Sequence, residues 1–133
     1  MNNILLIGDP HFKVSNPLES QQFHDEVLKN IKNLEKHTFS SLKGSIDNLV
    51  IVDKTYFEEG FCFVPYVPNG RFLEAIGDNL ERSECFFAHQ EFLGCKMGGI
   101  ISENGDEWDE KFPTVFSGHI HDYQEVQKNI IYT

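Results

Sequence analysis

The sequence lacks three features that mark large classes of protein. It has no apolar run of membrane-spanning length, and its first residues have neither a basic region nor a small-residue cleavage site, so we expect neither a membrane span nor secretion. Its three cysteines form no CxxC pair and leave an odd thiol, which argues against a disulfide framework or a zinc knuckle. These absences predict a soluble protein of the cytoplasm or nucleus.

Positive charge is also scarce. Eleven basic residues against 21 acidic ones give a formal net charge of -10, which excludes the broad cationic surface that holds nucleic acid through counterion release. A ligand that carries phosphate would therefore have to be attracted locally. Bound divalent cations could supply that attraction, because a metal ion is often the largest single charge in its site.

The chain is long enough for one packed domain, which we expect to span residues 1–133. Hydrophobic residues make up 40% of it and aromatic residues 13%, with twelve phenylalanines. Several of these occur in short runs such as Phe61-Cys62-Phe63 and Phe86-Phe87, where buried strands would place them. Most of the phenylalanines are therefore predicted to lie in the core.

Strand-like and helix-like segments alternate along the chain. The continuous apolar run Ile4–Ile7 predicts a buried strand, and the capping pattern from Asn16 predicts a helix that ends at about 36–38. Further strands are predicted at 49–52, 61–64, 85–88, 113–116, 123–126 and 129–132, with a helix over 70–80 and an exposed excursion over 94–105. This order predicts a layered α/β domain with a mixed sheet.

Three of these strands end at residues that can bind metal. The first is followed by Asp9 and His11, the strand at 85–88 by His89, and the strand at 113–116 by His119 and His121. Residues two apart on an extended backbone point to the same side, so each pair can converge on one point. Carboxylate oxygen and imidazole nitrogen suit Zn, Mn or Fe, and the absence of cysteine from the set argues against a closed structural zinc site.

Each motif alone has an ordinary structural explanation. A DxH triplet occurs by chance, His89 could be a hydrogen-bonded core residue, and an HxH triplet at a turn could be solvated. The acidic stretch 103–110 lacks the spacing of a calcium loop and is expected to be a solvated surface, with Trp108 available to a partner. The ordered set of strand-end residues, with glycines at Gly8 and Gly118, favours a shared metal site over these separate explanations.

The ordered set resembles the calcineurin-like metallophosphoesterase superfamily. Gly8–His11 matches its opening DxH motif, Ala88–Gln90 its single-histidine motif and Ser117–His121 its GHxH motif. Within the superfamily, the GHIH segment followed by Asp122–Gln124 and by the strand at 129–132 is most similar to SbcD-type DNA-repair nucleases.

The resemblance implies a metallophosphoesterase-type mixed β-sandwich flanked by helices. It also implies two divalent metal ions, Mn in the first instance with Fe or Zn as alternatives. Asp9, His11 and His121 would hold the first ion, and His89 and His119 the second. The implied function is hydrolysis of a phosphodiester or phosphomonoester by metal-activated water, with a DNA nuclease as the favoured form and a small-molecule phosphodiesterase or phosphatase as its rival.

The sequence departs from the family pattern in its middle. A GD segment, whose aspartate bridges the two metals, and a GNH segment are both missing, and the break falls near 39–40. We therefore expect the domain to lack a central βαβ section, and its C-terminal end as well, because family members continue beyond Thr133. Asp53 is the candidate bridging ligand, since it ends the predicted strand at 49–52, but no glycine precedes it.

Asp78 does follow a glycine, but Gly77-Asp78-Asn79 continues a helix pattern, so it is not a substitute for the missing bridging aspartate.

These gaps support an alternative function. Without the GD and GNH segments, the chain could instead be a non-catalytic scaffold or interaction protein with the metallophosphoesterase fold. The sequence does not indicate an oligomeric state.

Overall fold

The structure is a computed structural model that describes residues 50–133, of which 54–133 form a compact unit. We number the elements within this range only. The strands are Tyr56–Glu58 (β1), Phe61–Val64 (β2), Cys85–Ala88 (β3), Lys96–Met97 (β4), Ile100–Ile101 (β5), Thr114–Ser117 (β6), Gln124–Gln127 (β7) and Ile130–Tyr132 (β8). One α-helix, Phe72–Ile76 (α1), continues into a 3-10 helix, Gly77–Leu80. The predicted elements before residue 50 lie outside the described residues.

Six of the strands in the described range form one mixed sheet, in the order β1-β2-β3-β6-β8-β7. The four central strands run parallel, and β1 and β7 pair antiparallel at the two edges. The short strands β4 and β5 form a separate antiparallel hairpin. The prediction of an α/β unit with a mixed sheet is therefore confirmed for this part of the chain.

The β1–β2 hairpin turns over two residues, Glu59 and Gly60. Both have positive φ, 48° and 88°, which is the backbone of the tight turn whose twist matches that of the flanking strands. Glycine at the second position adopts this conformation without steric cost. The turn places Glu58 opposite Phe61 and so sets the register of the edge strand.

The core lies on one face of the sheet. Alternate residues of the central strands, including Cys62, Phe86, Val115 and Ile130, pair across the sheet in one register row. All four are buried, and the helix α1 contributes Phe72 and Ile76 to the same cluster. Alternate residues of a strand lie on the same face, so these side chains share one face of the sheet and form the main core of this unit.

Trp108 belongs to this core. It is 5% exposed, its Nε1 donates a hydrogen bond to the Pro113 carbonyl at 2.9 Å, and its ring lies edge-on to those of Phe72 and Phe86. The prediction of a solvated acidic stretch with an available tryptophan is wrong at two positions, because Asp106 is also buried at 5% exposure. The physical reason is that the loop turns inward there to cover the sheet.

Most other predicted elements in this range agree with the structure. The strands at 61–64 and 85–88 are confirmed. The predicted helix over 70–80 is α1 followed by the 3-10 helix, and the backbone leaves the α-helical conformation at Gly77, whose φ is +54°. Leu73, predicted on its apolar face, is 46% exposed. The predicted strand at 49–52 is wrong over 50–52, where the half-buried apolar residues pair with no strand of the described range.

The predicted excursion over 94–105 is exposed at its tip but anchored at its base. Ile100 and Ile101 are 67% and 58% exposed, whereas Cys95 and Ser102 are buried. The three cysteines of the chain are all free thiols, and burial raises the pKa of the Cys62 thiol. No helix within residues 50–133 is long and apolar enough to cross a membrane.

Candidate functional site

The ends of β3 and β6 bring His89 and His119 to the same edge of the sheet. The two strands are parallel neighbours, with Ala88 opposite Ser117. Just beyond them, the Gly118 N–H donates a hydrogen bond to the Ala88 carbonyl at 3.1 Å. Parallel strands present their carboxyl ends at one edge, so the residues that follow them meet there.

The two imidazole rings meet edge to face. Their centroids are 5.0 Å apart and their planes make an angle of 82°. Both residues are half-buried. A Cβ atom built on Gly118 would lie 3.8 Å from His89 Nδ1, so the His89 ring lies directly beside the glycine that precedes His119.

One nitrogen of this pair has no hydrogen-bond partner. Among the described residues, His119 Nδ1 is the one buried side-chain nitrogen or oxygen that no hydrogen bond satisfies. Buried polar atoms are nearly always paired, and leaving one unpaired costs on the order of 1 to 3 kcal/mol. Imidazole nitrogen is a ligand for Zn, Mn and Fe, so a divalent cation is a chemically suitable partner for this atom.

A buried hydrogen-bond network holds the two strand ends together. The Gln90 N–H donates to Ser117 Oγ at 2.9 Å, and that hydroxyl donates to the Gln90 carbonyl at 2.7 Å. The Tyr132 hydroxyl donates to the same carbonyl at 2.9 Å and accepts from the Phe92 N–H at 2.8 Å. Gln90, directly after His89, and Ser117, directly before Gly118, are thus held together by hydrogen bonds, which limits the movement of both histidines.

The Gln90 side chain extends this network to two further segments. Its Nε2 donates to Asp106 Oδ2 at 2.6 Å, and its Oε1 accepts from the Val67 N–H at 3.3 Å. The other oxygen of Asp106 accepts from the N–H groups of Gly70 and Phe72, both at 3.0 Å, at the start of α1. The carboxylate therefore serves as a cap for the helix although it is distant in sequence.

Sequence reasoning does not find Gln90, Ser117, Asp106 or Tyr132 as site-supporting residues. The only sequence signal is local, since Gln90 and Ser117 belong to the single-histidine and GHxH motifs. The pattern around Asp106 indicates a surface acid, because its neighbours Glu107 and Asp109 are acidic as well, and those two are indeed exposed. No local pattern distinguishes a buried carboxylate that accepts long-range hydrogen bonds from a solvated one.

His121 differs from His119 in its surroundings. It is exposed, and residues 119–122 form bends instead of a continued extended strand. The prediction assumed that an extended backbone points His119 and His121 to the same side, and it is wrong about the backbone. Ile120, between them, is half-buried and packs against the core.

Three other predicted ligands, Asp9, His11 and Asp53, belong to the part of the chain before residue 54. Asp9 and His11 lie outside the described residues. Asp53 lies in a bend, is half-buried, and belongs to the part of the chain before residue 54. Within residues 50–133, no three His, Cys, Asp or Glu side chains converge in a way that could hold a metal ion. Asp78, which the sequence does not favour as a substitute, is exposed in the 3-10 helix.

Two curated proteins show clear similarity to the chain. Putative phosphoesterase 244L of Invertebrate iridescent virus 6 is 49% identical over 106 residues, which is 74% of this chain and 37% of the relative. Putative phosphoesterase 078R of Invertebrate iridescent virus 3 is 34% identical over 194 residues, which is 98% of this chain and 56% of the relative. The chain is similar to viral proteins named as phosphoesterases. No protein-family model matches it, and no solved structure gives a significant match.

The chain spans little more than half the length of one relative and little more than a third of the other. The longer alignment covers 194 positions, although the chain has 133 residues in total, so many positions of that relative face gaps in this chain.

Proposed function

We propose that the protein is a metal-dependent phosphoesterase of the calcineurin-like superfamily. The observation that carries the proposal is the buried, unpartnered Nδ1 of His119 beside the ring of His89, at the carboxyl ends of two parallel strands. The similarity to two proteins named as phosphoesterases supports the reaction class. The DxH and GHxH motifs support a layered, metallophosphoesterase-type arrangement of the whole domain.

In this proposal each metal-binding residue keeps the role that the resemblance implies. His89 and His119 would hold one divalent cation, Asp9, His11 and His121 would hold the other, and Asp53 remains the candidate bridge. When bound, such cations polarise the phosphate oxygens and make water a nucleophile at neutral pH. Mn is the cation we expect, with Fe or Zn as alternatives.

The supporting residues would act through position, not through contact with substrate. Hydrogen bonds from Ser117 and Tyr132 to Gln90 hold the chain on both sides of the histidine pair. Ligands held in place by surrounding hydrogen bonds need less reorganisation when they bind a cation. We further propose that the natural substrate is a phosphodiester, with linear DNA as the favoured form and the cytoplasm or nucleus as the place of action.

An alternative proposal is a non-catalytic scaffold with the same fold. The missing GD and GNH segments support it, as do the many alignment positions of the viral relative that face gaps here. Such a protein could bind a cation at the histidine pair and still hydrolyse nothing.

Hydrolysis in the presence of Mn²⁺ separates the two proposals. Bis(p-nitrophenyl) phosphate and linear DNA would each be incubated with the protein, with its His89→Ala and His121→Ala variants, and with His24→Ala as a histidine control to which no role is assigned. Hydrolysis that both site variants abolish and the control retains supports the phosphoesterase. Mn²⁺ binding without any hydrolysis by the unaltered chain supports the scaffold.

A further inference from the structure

Tyr66 is a large aromatic residue beside the candidate site that the proposed roles do not use. Its ring lies next to that of His119, with the centroids 6.3 Å apart and the planes inclined by 27°. This is the range of an offset stack. Tyr66 is nonetheless 58% exposed, so much of its surface is open to solvent at the edge of the sheet where His89 and His119 meet.

The backbone around Tyr66 is held on both sides. Pro65 and Pro68 flank the Tyr66-Val67 pair and restrict the backbone there. The Val67 N–H donates to Gln90 Oε1, and the Val67 side chain packs against the core. The segment is thus fixed by the same glutamine that is clamped to Ser117, next to the two histidines.

Hydrogen bonds also fix the residues that follow Val67. Asn69 Nδ2 donates to Glu91 Oε2 at 3.3 Å, and the Arg71 N–H donates to the Pro68 carbonyl at 3.1 Å. An exposed aromatic ring on a fixed backbone loses little conformational entropy when a ligand covers it. A large exposed apolar residue on such a segment is a better candidate for contact with a ligand than for stabilising the fold.

We propose that Tyr66 is a specificity-determining residue that stacks against a planar ring of the substrate beside the phosphate. This inference rests on the proposed phosphoesterase function and deepens it, because it names the class of ester that the site prefers. The ring could be an aryl group bonded to phosphorus or its ester oxygen, or a nucleobase one sugar away. Both offer the same planar surface to a tyrosine.

The geometry also allows a purely positional role, in which Tyr66 only holds the His119 ring. The two roles predict different results. A positional role affects every phosphate ligand equally, because it acts through the histidine. A stacking role affects only ligands that have a planar ring, and leaves small phosphate ligands unchanged.

Ligand binding, measured without turnover, tests the proposal. Isothermal titration in Mn²⁺ would compare phenylphosphonate with methylphosphonate, and the methylenephosphonate analogue of 5′-AMP with that of ribose 5-phosphate. None of the four has a phosphoester bond to hydrolyse. The variants are Tyr66→Leu, which removes the aromatic ring, and Tyr66→Phe, which keeps it. Tyr123→Leu is the control, since Tyr123 is an exposed tyrosine at 69% that has no role in the proposal.

We expect the unaltered protein to bind at least one ring-bearing ligand about three- to tenfold more tightly than its ring-free partner. Tyr66→Leu should abolish that preference without changing the affinity for methylphosphonate or Mn²⁺, while Tyr66→Phe and Tyr123→Leu retain it. The ligand pair in which the ring-bearing member binds more tightly shows whether the site prefers an aryl group next to phosphorus or a nucleobase one sugar away.

Two results would overturn the inference, and they differ. If the protein binds all four ligands but shows no ring preference, or if Tyr66→Leu weakens ring-bearing and ring-free ligands equally, the stacking role is wrong and the proposed function stands. If no phosphate ligand and no Mn²⁺ binds, the proposed function fails, and the role of Tyr66 fails with it.

Discussion

The ring of His119 lies edge-on to the ring of His89, with 5.0 Å between their centroids, although the two residues follow different strands. Within residues 50–133, His119 also has the one buried side-chain nitrogen that no hydrogen bond satisfies. A protein that keeps such an atom unpaired accepts a cost in stability, and functional sites are where such costs are found. Substitutions at this pair, and at the residues that support it, should therefore have measurable effects.

Replacement of Gly105 by alanine should destabilise the protein. A Cβ atom at this position would lie 2.4 Å from the carbonyl carbon of Phe92, which is backbone and cannot move aside cheaply. We expect Gly105→Ala to lower the free energy of unfolding by about 1 to 3 kcal/mol, measured by urea denaturation. Gly99→Ala is the matched control, because a Cβ atom built on Gly99 would have no neighbour within 4 Å. Equal stability of the two variants would contradict the packing at Phe92.

Loss of the Tyr132 hydroxyl should weaken the network behind the histidine pair. That hydroxyl donates to the Gln90 carbonyl and accepts from the Phe92 N–H, both in the buried interior. Tyr132→Phe leaves the Phe92 N–H without its partner, so we expect a loss of about 1 to 3 kcal/mol in the free energy of unfolding. Tyr123→Phe, at an exposed tyrosine, should change it by less than about 0.5 kcal/mol. A Tyr132→Phe variant as stable as the parent would contradict the described hydrogen bonds.

The same tyrosine should make stability depend on alkaline pH. Burial raises the pKa of Tyr132 above its ordinary value of 10.0. Above pH 10 the unfolded chain loses this proton while the folded chain keeps it, so the contribution is fully present below pH 10 and declines as pH rises beyond it. The slope from this one group approaches about 1.4 kcal/mol per pH unit.

Denaturation at pH 9, 10 and 11 measures that slope. The free energy of unfolding of Tyr132→Phe should decline less steeply with pH than that of the parent, because the variant lacks the buried hydroxyl. The remaining tyrosines titrate in both proteins, so their contributions cancel in the comparison. Identical declines would mean that the Tyr132 hydroxyl is not buried in the way described.

Asp106→Asn should destabilise the protein despite its nearly equal size. One carboxylate oxygen accepts from Gln90 Nε2 at 2.6 Å, and the other accepts from the N–H groups of Gly70 and Phe72. An amide has only one acceptor oxygen, so a donor must face another donor in one orientation or the other. We expect a loss of about 1 to 3 kcal/mol, against almost none for the exposed neighbour variant Glu107→Gln. Equal unfolding midpoints for these two variants would argue against a buried Asp106.

How much of this could be predicted from sequence depends on the range of the interaction. The strands at 61–64 and 85–88 are short apolar runs bounded by turn residues, and a local pattern suffices to identify them. Local patterns likewise show that His89 and His119 each follow a strand, but their meeting depends on the parallel pairing of two strands that are distant in sequence.

Interactions between distant segments could not be predicted in this way. The hydrogen bonds of Asp106 join the loop before Trp108 to the start of α1 and to Gln90, and no residue near Asp106 in sequence reveals them. The sequence likewise does not show that residues 119–122 form bends or that His121 is exposed. The apolar run at 50–52 has strand composition, but no strand of the described range pairs with it.

The central claim is that His89 and His119 together bind a divalent cation, and the NMR signals of the imidazole rings test it most directly. Mn²⁺ is paramagnetic, so substoichiometric Mn²⁺ added to isotopically labelled protein should broaden the His89 and His119 ring signals. In His119→Ala, a higher ratio of Mn²⁺ to protein should be needed to broaden the His89 ring signal, whereas His24→Ala, at a histidine with no assigned role, should leave that ratio unchanged. Broadening that spares His89 and His119, or an unchanged ratio in His119→Ala, would contradict a cation site at this pair.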